Sequence, residues 1–369
     1  MLIPIIIIAT TILIFGIVIS EDNKEMKKTK YPSHEEMENL KFNYADMIWY
    51  LTQNTSLKHS EVYDIDGYSK DEFCMYLFEF YNKNLVWNRR FKCQPSYVIF
   101  GNENREGAKA KKSNKHYIIV FFESLIKKLE NWFGDGFDIT SIAGLNQYHF
   151  LSAKLNFPIS KLIEQAILQF TFYHEFAHVI QFSVQDEFER EEHMAGSSQF
   201  DYQMHIEEFD ADTFSGICLA THLFQFQQDW TPDNMTNTEI KNLISIITGS
   251  VMTYIISLPM CKTEFYTEEC IHPHNSIRAL NIIGVIITHL QEILNKRNIQ
   301  IKLDLGEIFL EANNVCSHLL NNFGLTQELT SYQKILNENY ENISKYHKKL
   351  QDELLNYDES AIKKWNLNN

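Results

Sequence analysis

His174-Glu175-Phe176-Ala177-His178 spells H-E-x-x-H inside a long apolar run, Ile159 to Phe182. Two histidines four residues apart share one face of an α-helix, so both imidazoles reach one metal ion. The glutamate between them is placed to activate a water on that ion. A solvated helix carrying two incidental histidines is the competing explanation. The run is too apolar for a solvated face, which favours a buried helix that carries a site.

An acidic run, Glu207-Glu208-Phe209-Asp210-Ala211-Asp212, follows downstream. An ion such as Zn(2+) held by two histidines usually takes a third protein ligand and leaves the fourth position to water. Glu208 and Asp212 are four apart and share a helical face. Glu208 is therefore assigned as the third ligand beside His174 and His178, with Glu207 as the rival one residue away. Asp212 fits a supporting place, accepting a hydrogen bond from a ligating imidazole and fixing its tautomer. Asp210 points elsewhere on the helix and is expected to be solvated. A third segment, His272-Pro273-His274-Asn275-Ser276-Ile277-Arg278, reads at the least as a turn in which Pro273 precedes a helix starting near Ser276.

Composition bounds the rest. A hydrophobic content of 44%, with 26 Phe and 18 Tyr, is ample for a packed core. Only 7 Pro and 13 Gly argue against an all-β fold and against long linkers. A formal net charge of −15 argues against a nucleic-acid partner, because phosphate binding needs a cationic surface. The basic stretch Lys109 to Lys115 reads as an exposed loop. The chain shows no internal repeat, no G-x-S-x-G elbow, no P-loop and no dinucleotide glycine fingerprint. None of the 6 cysteines forms a C-x-x-C pair, which argues against a cysteine zinc site. Cys261 and Cys270 bracket a short polar excursion and are suited to bridging in an oxidising compartment.

Residues 1–20 carry no charged side chain and are dominated by isoleucine. That length spans a bilayer as a transmembrane anchor. A signal peptide and a buried N-terminal helix are the alternatives. The lysines that follow (Lys24, Lys27, Lys28, Lys30) place an anchored domain on the cytoplasmic side, whereas a cleaved signal peptide implies a secreted or periplasmic protein. Leu243 to Met260 is uncharged but rich in Ser, Thr and Gly, and reads as a buried core helix, with a membrane span as the alternative. Ile282 to Leu294 reads as an amphipathic core helix, apolar on one face only.

The expected organisation is a membrane helix at 1–20, a tether at 21–33, an N-terminal part with a small sheet at 34–158, a catalytic core at 159–325 and a C-terminal helical segment at 326–369. Glu35 to Thr52 and Lys70 to Lys83 are periodic in apolar residues and read as helices. Tyr97 to Phe100 and Tyr117 to Glu123 read as strands, separated by a turn region from Gly101 to Lys115. Helices then follow from Ser160 to the end, the last running from near Thr326 to Lys364. The fold class is mainly α with a small β-sheet.

His174-Glu-Phe-Ala-His178 followed by Glu208-Phe-Asp-Ala-Asp212 resembles the gluzincin pattern H-E-x-x-H … E-x-x-x-D. The Ala-Asp ending is similar to that of the membrane-associated heat-shock and prenyl-protein endopeptidases. That group also carries a His-Pro with an arginine shortly after, matched here by His272-Pro273 and Arg278. The phage-exclusion peptidase Lit and its relatives look similar in the same three blocks, and the resemblance covers roughly residues 160 to 285. Asp210 stands where the group usually has glutamate, and its several membrane helices around the site are missing. The resemblance implies a zincin-like metallopeptidase domain whose partner is a protein or peptide substrate. It implies that His272 and Arg278 line the substrate cleft. His272 would stabilise an oxyanion, with His274 as the alternative, and Arg278 would bind a carboxylate or position the active-site carboxylates. In zincins a small sheet covers the active-site helix, and the Tyr117 to Glu123 run is the candidate for it. The expected chemistry is peptide hydrolysis with Glu175 as general base. A Lit-type peptidase cleaving one host protein and a non-catalytic zinc-stabilised membrane scaffold are the alternatives.

Overall fold

Helix forms wherever apolar residues recur at helical spacing, and a small sheet forms where β-branched and aromatic residues run together. The computed structural model describes residues 34–63, 77–78, 81–82, 85, 91–102, 106–134, 136–155, 158–183, 188–191, 200–230 and 236–367. The expected membrane helix at 1–20 and the tether at 21–33 lie outside the described residues, as does most of the expected helix Lys70 to Lys83. The chain divides into two units. One gathers the described residues of Leu129–His174 and Met194–Asp358, the other those of Ile17–Lys128, Glu175–His193 and Glu359–Asn369.

The second unit holds the sheet. Helix α1 (His34–Asn54) precedes strands β1 (Ser96–Gly101), β2 (Ala108–Ser113) and β3 (His116–Phe122), and β4 (Phe188–Glu191) comes much later in the chain. The strand order is β1-β3-β2-β4. Strand β3 pairs parallel to β1 (Val98 opposite Ile119) and antiparallel to β2 (Ala110 opposite Ile119), while β4 pairs antiparallel to β2. The candidate strand Tyr117 to Glu123 is in the sheet as an interior strand up to Phe122, with Glu123 opening the next helix.

Strand β2 overturns the expectation of an exposed turn region between Gly101 and Lys115. Ala-Lys-Ala-Lys-Lys-Ser is poor in strand-forming residues, and alanine and lysine are depleted in strands. Lysine stems can nevertheless cover apolar surface while the ammonium finds a polar partner. Lys109 and Lys112 are buried in this way. The Lys112 ammonium donates to the Ser183 carbonyl at 2.9 Å and lies 4.9 Å from the Tyr117 ring centre. Asn114 and Lys115, both at positive φ (46° and 69°), make the two-residue turn into β3.

The first unit is helical. Its elements include part of α2 (Glu123–Phe133), α3 (His149–Lys154), most of α4 (Ile159–Gln181), α5 (Tyr202–Trp230), α6 (Asn237–Ser257), α7 (Asn275–Lys296), α8 (Leu305–Asn322) and α9 (Thr326–Leu354). Helix α6 starts at a reciprocal cap: Thr236 Oγ1 accepts from the Glu239 amide at 3.3 Å, and Glu239 accepts from the Thr236 amide at 2.6 Å. Its interior hydroxyls on Thr248, Ser250 and Thr253 donate to the carbonyls of Ile244, Ile246 and Gly249, so burial leaves them satisfied. Gly249 lets α8 approach, since a Cβ there would sit 2.6 Å from the Ala312 carbonyl oxygen.

Helices α6 and α7 are both long and apolar enough to cross a membrane, and 83% and 78% of their apolar windows are buried within the protein. Within the expected amphipathic stretch Ile282 to Leu294 of α7, Thr288, Gln291 and Glu292 are half-buried and the rest is buried, and every residue upstream from Asn275 to Asn281 is buried as well. Helix α9 is amphipathic, burying Tyr332, Ile335, Ile343, Tyr346, His347, Leu350 and Leu354 on one face. The expected single C-terminal helix is two. After α9 the chain turns, and Ser360 Oγ accepts from the Lys363 amide to open α10 (Ala361–Leu367) in the other unit.

Candidate metal centre

Helix α4 carries the motif. Its apolar run buries the helix, so His174, Glu175 and His178 are also buried, with exposures of 0%, 0% and 1%. One ligating atom from each of His174, His178 and Glu208 lies within 4.8 Å of the other two. These three side chains form a buried group able to hold a metal ion. Glu208 on α5 is the acid drawn into the group, whereas Glu207, the rival, accepts from Gln203 at 3.3 Å. Asp210 is fully buried, contrary to the expectation of a solvated side chain. Burial of α5 on several sides at this level, with Ile206, Phe209 and Ala211 also inside, leaves no solvated face there.

The acidic helix is built around His174. Asp212 Oδ1 lies 3.0 Å from His174 Nδ1, and Glu208 Oε2 lies 3.3 Å from His174 Nε2. The imidazole thus presents Nδ1 to Asp212 and turns Nε2 toward Glu208. Arg278 on α7 grips Asp212 through both carboxylate oxygens, Nε to Oδ2 at 2.9 Å and Nη2 to Oδ1 at 2.8 Å. That fork is planar and bidentate, the geometry arginine supplies and lysine does not. Arg278 is 2% exposed, so its guanidinium faces a carboxylate and not an open cleft. Close packing of α5 on α7 makes the pair possible. Gly216 sits where a Cβ would come 3.0 Å from the Val285 side chain.

Electrostatics follow from this arrangement. Burial disfavours a charged His174, yet the carboxylates of Asp212 and Glu208 outweigh it and hold the imidazole pKa well above its ordinary value. Burial would likewise raise the Asp212 carboxyl, but the Arg278 guanidinium and His174 hold it below the usual carboxylate range. Two carboxylates beside a buried imidazole make a site that favours positive charge. A divalent cation meets that demand, and two imidazoles plus one carboxylate are a suitable donor set.

His178 has its own support. Its Nδ1 lies 2.8 Å from Gln181 Oε1, one turn further along α4. The amide oxygen accepts, so Nδ1 carries the proton and Nε2 is the ligating atom. Sequence reasoning missed Gln181, although its spacing of three residues from His178 puts it on the same helix face.

The loop before α7 brings His272 to the centre. Its Nδ1 lies 3.4 Å from Glu208 Oε2, and neither ring nitrogen makes a hydrogen bond among the described residues. His274, the alternative, is the N-cap of α7: its Nδ1 accepts from the Ser276 amide at 3.1 Å. Burial lowers its pKa to about 4, so it is a neutral cap. Cys261 and Cys270 are bonded across the same loop, with Cα atoms 6.4 Å apart. His205 on α5 accounts for the loop's position. Its Nε2 donates to the Cys270 carbonyl at 2.8 Å, which leaves Nδ1 to accept from Tyr346 at 3.0 Å. No local pattern announces Tyr346, which is 141 residues away from His205 in sequence. Cys93, Cys218 and Cys316 are buried thiols outside the disulfide, and burial pushes those of Cys93 and Cys316 up to about 12.

Comparison with protein-family models, with curated proteins and with solved structures finds no match to this chain.

Proposed function

We propose that the protein is a zinc-dependent endopeptidase of the gluzincin kind, acting on a protein or peptide substrate. The observation that carries this reading is the convergence of His174, His178 and Glu208, with Glu175 set between the two histidines on one buried helix. When bound, zinc supplies Lewis-acid chemistry, polarising a carbonyl and making water acidic enough to attack near neutral pH. His174, His178 and Glu208 would hold the ion, the histidines through Nε2 and Glu208 through a carboxylate oxygen. Asp212, fixed by Arg278, keeps the His174 proton on Nδ1. Glu175 takes the proton from the attacking water and returns it to the leaving amine. His272, whose ring nitrogens make no hydrogen bond among the described residues, offers a ring N–H to the oxyanion of the tetrahedral intermediate.

The test is metal analysis of the purified chain beside a Glu175→Gln variant in a proteolysis assay. One zinc per chain in both proteins, with proteolysis reduced about 10²- to 10⁴-fold in the variant, is the expected result. Zinc-free protein refolded to the same fold, or full activity in the variant, would overturn the reading.

A further inference from the structure

We propose that Gln181 is the positioning residue for the His178 ligand and that Lys364, from the last helix of the chain, locks it in place. Metal affinity would then depend on α10. This rests on the metal-centre reading above and extends it to residues that touch neither ion nor substrate.

The argument starts from the end of α4. The last carbonyls of any helix have no amide partner one turn on. In α4 that end falls one turn after His178, and its carbonyls are taken up by Ser183, which donates to Ile180 O from its hydroxyl at 2.9 Å, and by side chains from elsewhere. Lys364 Nζ donates to Ile180 O at 3.0 Å and Gln181 O at 3.1 Å. Ser183 O, just beyond, accepts from Lys112 at 2.9 Å and from Tyr117 at 2.8 Å. A cation at this terminus also complements the helix dipole. Lys364 is itself held by Glu359 at 2.5 Å. Its neighbour Trp365 packs on Phe91 at 5.5 Å, and Phe91 packs edge-on against Phe176 at 5.6 Å. Phe176 is a residue of the H-E-x-x-H motif. Helix α10 therefore grips the motif helix twice, by its terminal carbonyls and by an aromatic chain to Phe176.

Gln181 links this grip to the site. Its backbone carbonyl is held by Lys364, and its buried side chain accepts from His178 Nδ1. The acceptor fixes both the tautomer and the tilt of the ring. Such outer partners are typically worth about 10- to 100-fold in metal affinity. The two histidines are supported unequally: His174 by a carboxylate, His178 by a neutral amide.

Zinc affinity of the full chain, read by competition with a chromophoric chelator, tests this, alongside thermal unfolding of the metal-free proteins. Gln181→Met keeps the volume and removes the acceptor, and should weaken zinc about 10- to 100-fold with little change in metal-free unfolding. Gln181→Glu restores an acceptor and should retain affinity to within a few-fold. Lys364→Met should show a smaller loss of the same sign. Wild-type affinity in Gln181→Met, or equal losses in Gln181→Met and Gln181→Glu, overturns the proposal. If Gln181→Met does not fold, unchanged affinity in Lys364→Met overturns it. A wild-type chain that binds no zinc fails the metal-centre reading itself. Zinc bound by wild type, lost in His178→Ala and unmoved in Gln181→Met sinks only the positioning role.

Discussion

Asp212 Oδ1 lies between two nitrogens, accepting from Arg278 Nη2 at 2.8 Å and standing 3.0 Å from His174 Nδ1. All three side chains are buried, so each depends on the others for its charge. Removing one partner of a buried pair leaves an uncompensated charge, which typically costs about 3–5 kcal/mol. Arg278→Met should therefore lower unfolding stability by that amount in a denaturant titration of the metal-free protein. A loss under about 1 kcal/mol would mean that water reaches the pair and screens it, as at a surface. Asp212→Asn tests the link to the imidazole. It should weaken zinc binding about 10- to 100-fold, read by chelator competition, because the amide no longer fixes the tautomer by charge. At this scale spacing alone put the two histidines and Glu175 on one helix, whereas Glu208 was separated from Glu207 only by packing. The burial of Asp210 was not readable, since helical spacing says which residues share a face but not how many faces are covered.

The helices testify to the same division. Gly249 in α6 should prefer alanine by about 1 kcal/mol if helix propensity alone decided. Its Cβ would meet the Ala312 backbone oxygen at 2.6 Å and Val315 at 2.8 Å, and neither is a flexible tip. Overpacking of this kind costs about 1–3 kcal/mol and should win. Gly249→Ala is expected to destabilise the protein, and a stabilised variant in the same titration would show that α8 can move away. Helices α1 and α7 were legible from apolar periodicity, and α4 and α6 from long apolar runs. Strand β2 was not, because Ala108 to Ser113 has the composition of a loop and becomes a strand only through its neighbours β3 and β4. The break between α9 and α10 was missed because the Ser360 cap is a weak local signal within a polar stretch.

Across the helical unit, four buried histidines set the response to acid. Burial lowers His205, His274, His289 and His347 to about 4. Their unfolded value is about 6.5. A depressed folded pKa means that the unfolded chain binds the proton first. The stability each contributes is thus complete above about pH 6.5 and is lost as pH falls toward 4. At 1.36 kcal/mol per unit, each is worth up to about 3 kcal/mol. The thermal midpoint of the metal-free protein should fall steeply from pH 6.5 to 4, and His289→Gln should make the fall shallower. A flat profile over that window would contradict neutral burial.

Local order along the chain was sufficient for the helical class, for the paired imidazoles and for an acid one helix further on, because helical periodicity and four-residue spacing are properties of a single element. Packing alone selected Glu208 over Glu207, put Arg278 on Asp212, buried the lysines of β2 and brought Lys364 to the end of the motif helix. Those outcomes depend on which distant segments meet, and a side chain's partner across space leaves no mark on its neighbours in sequence.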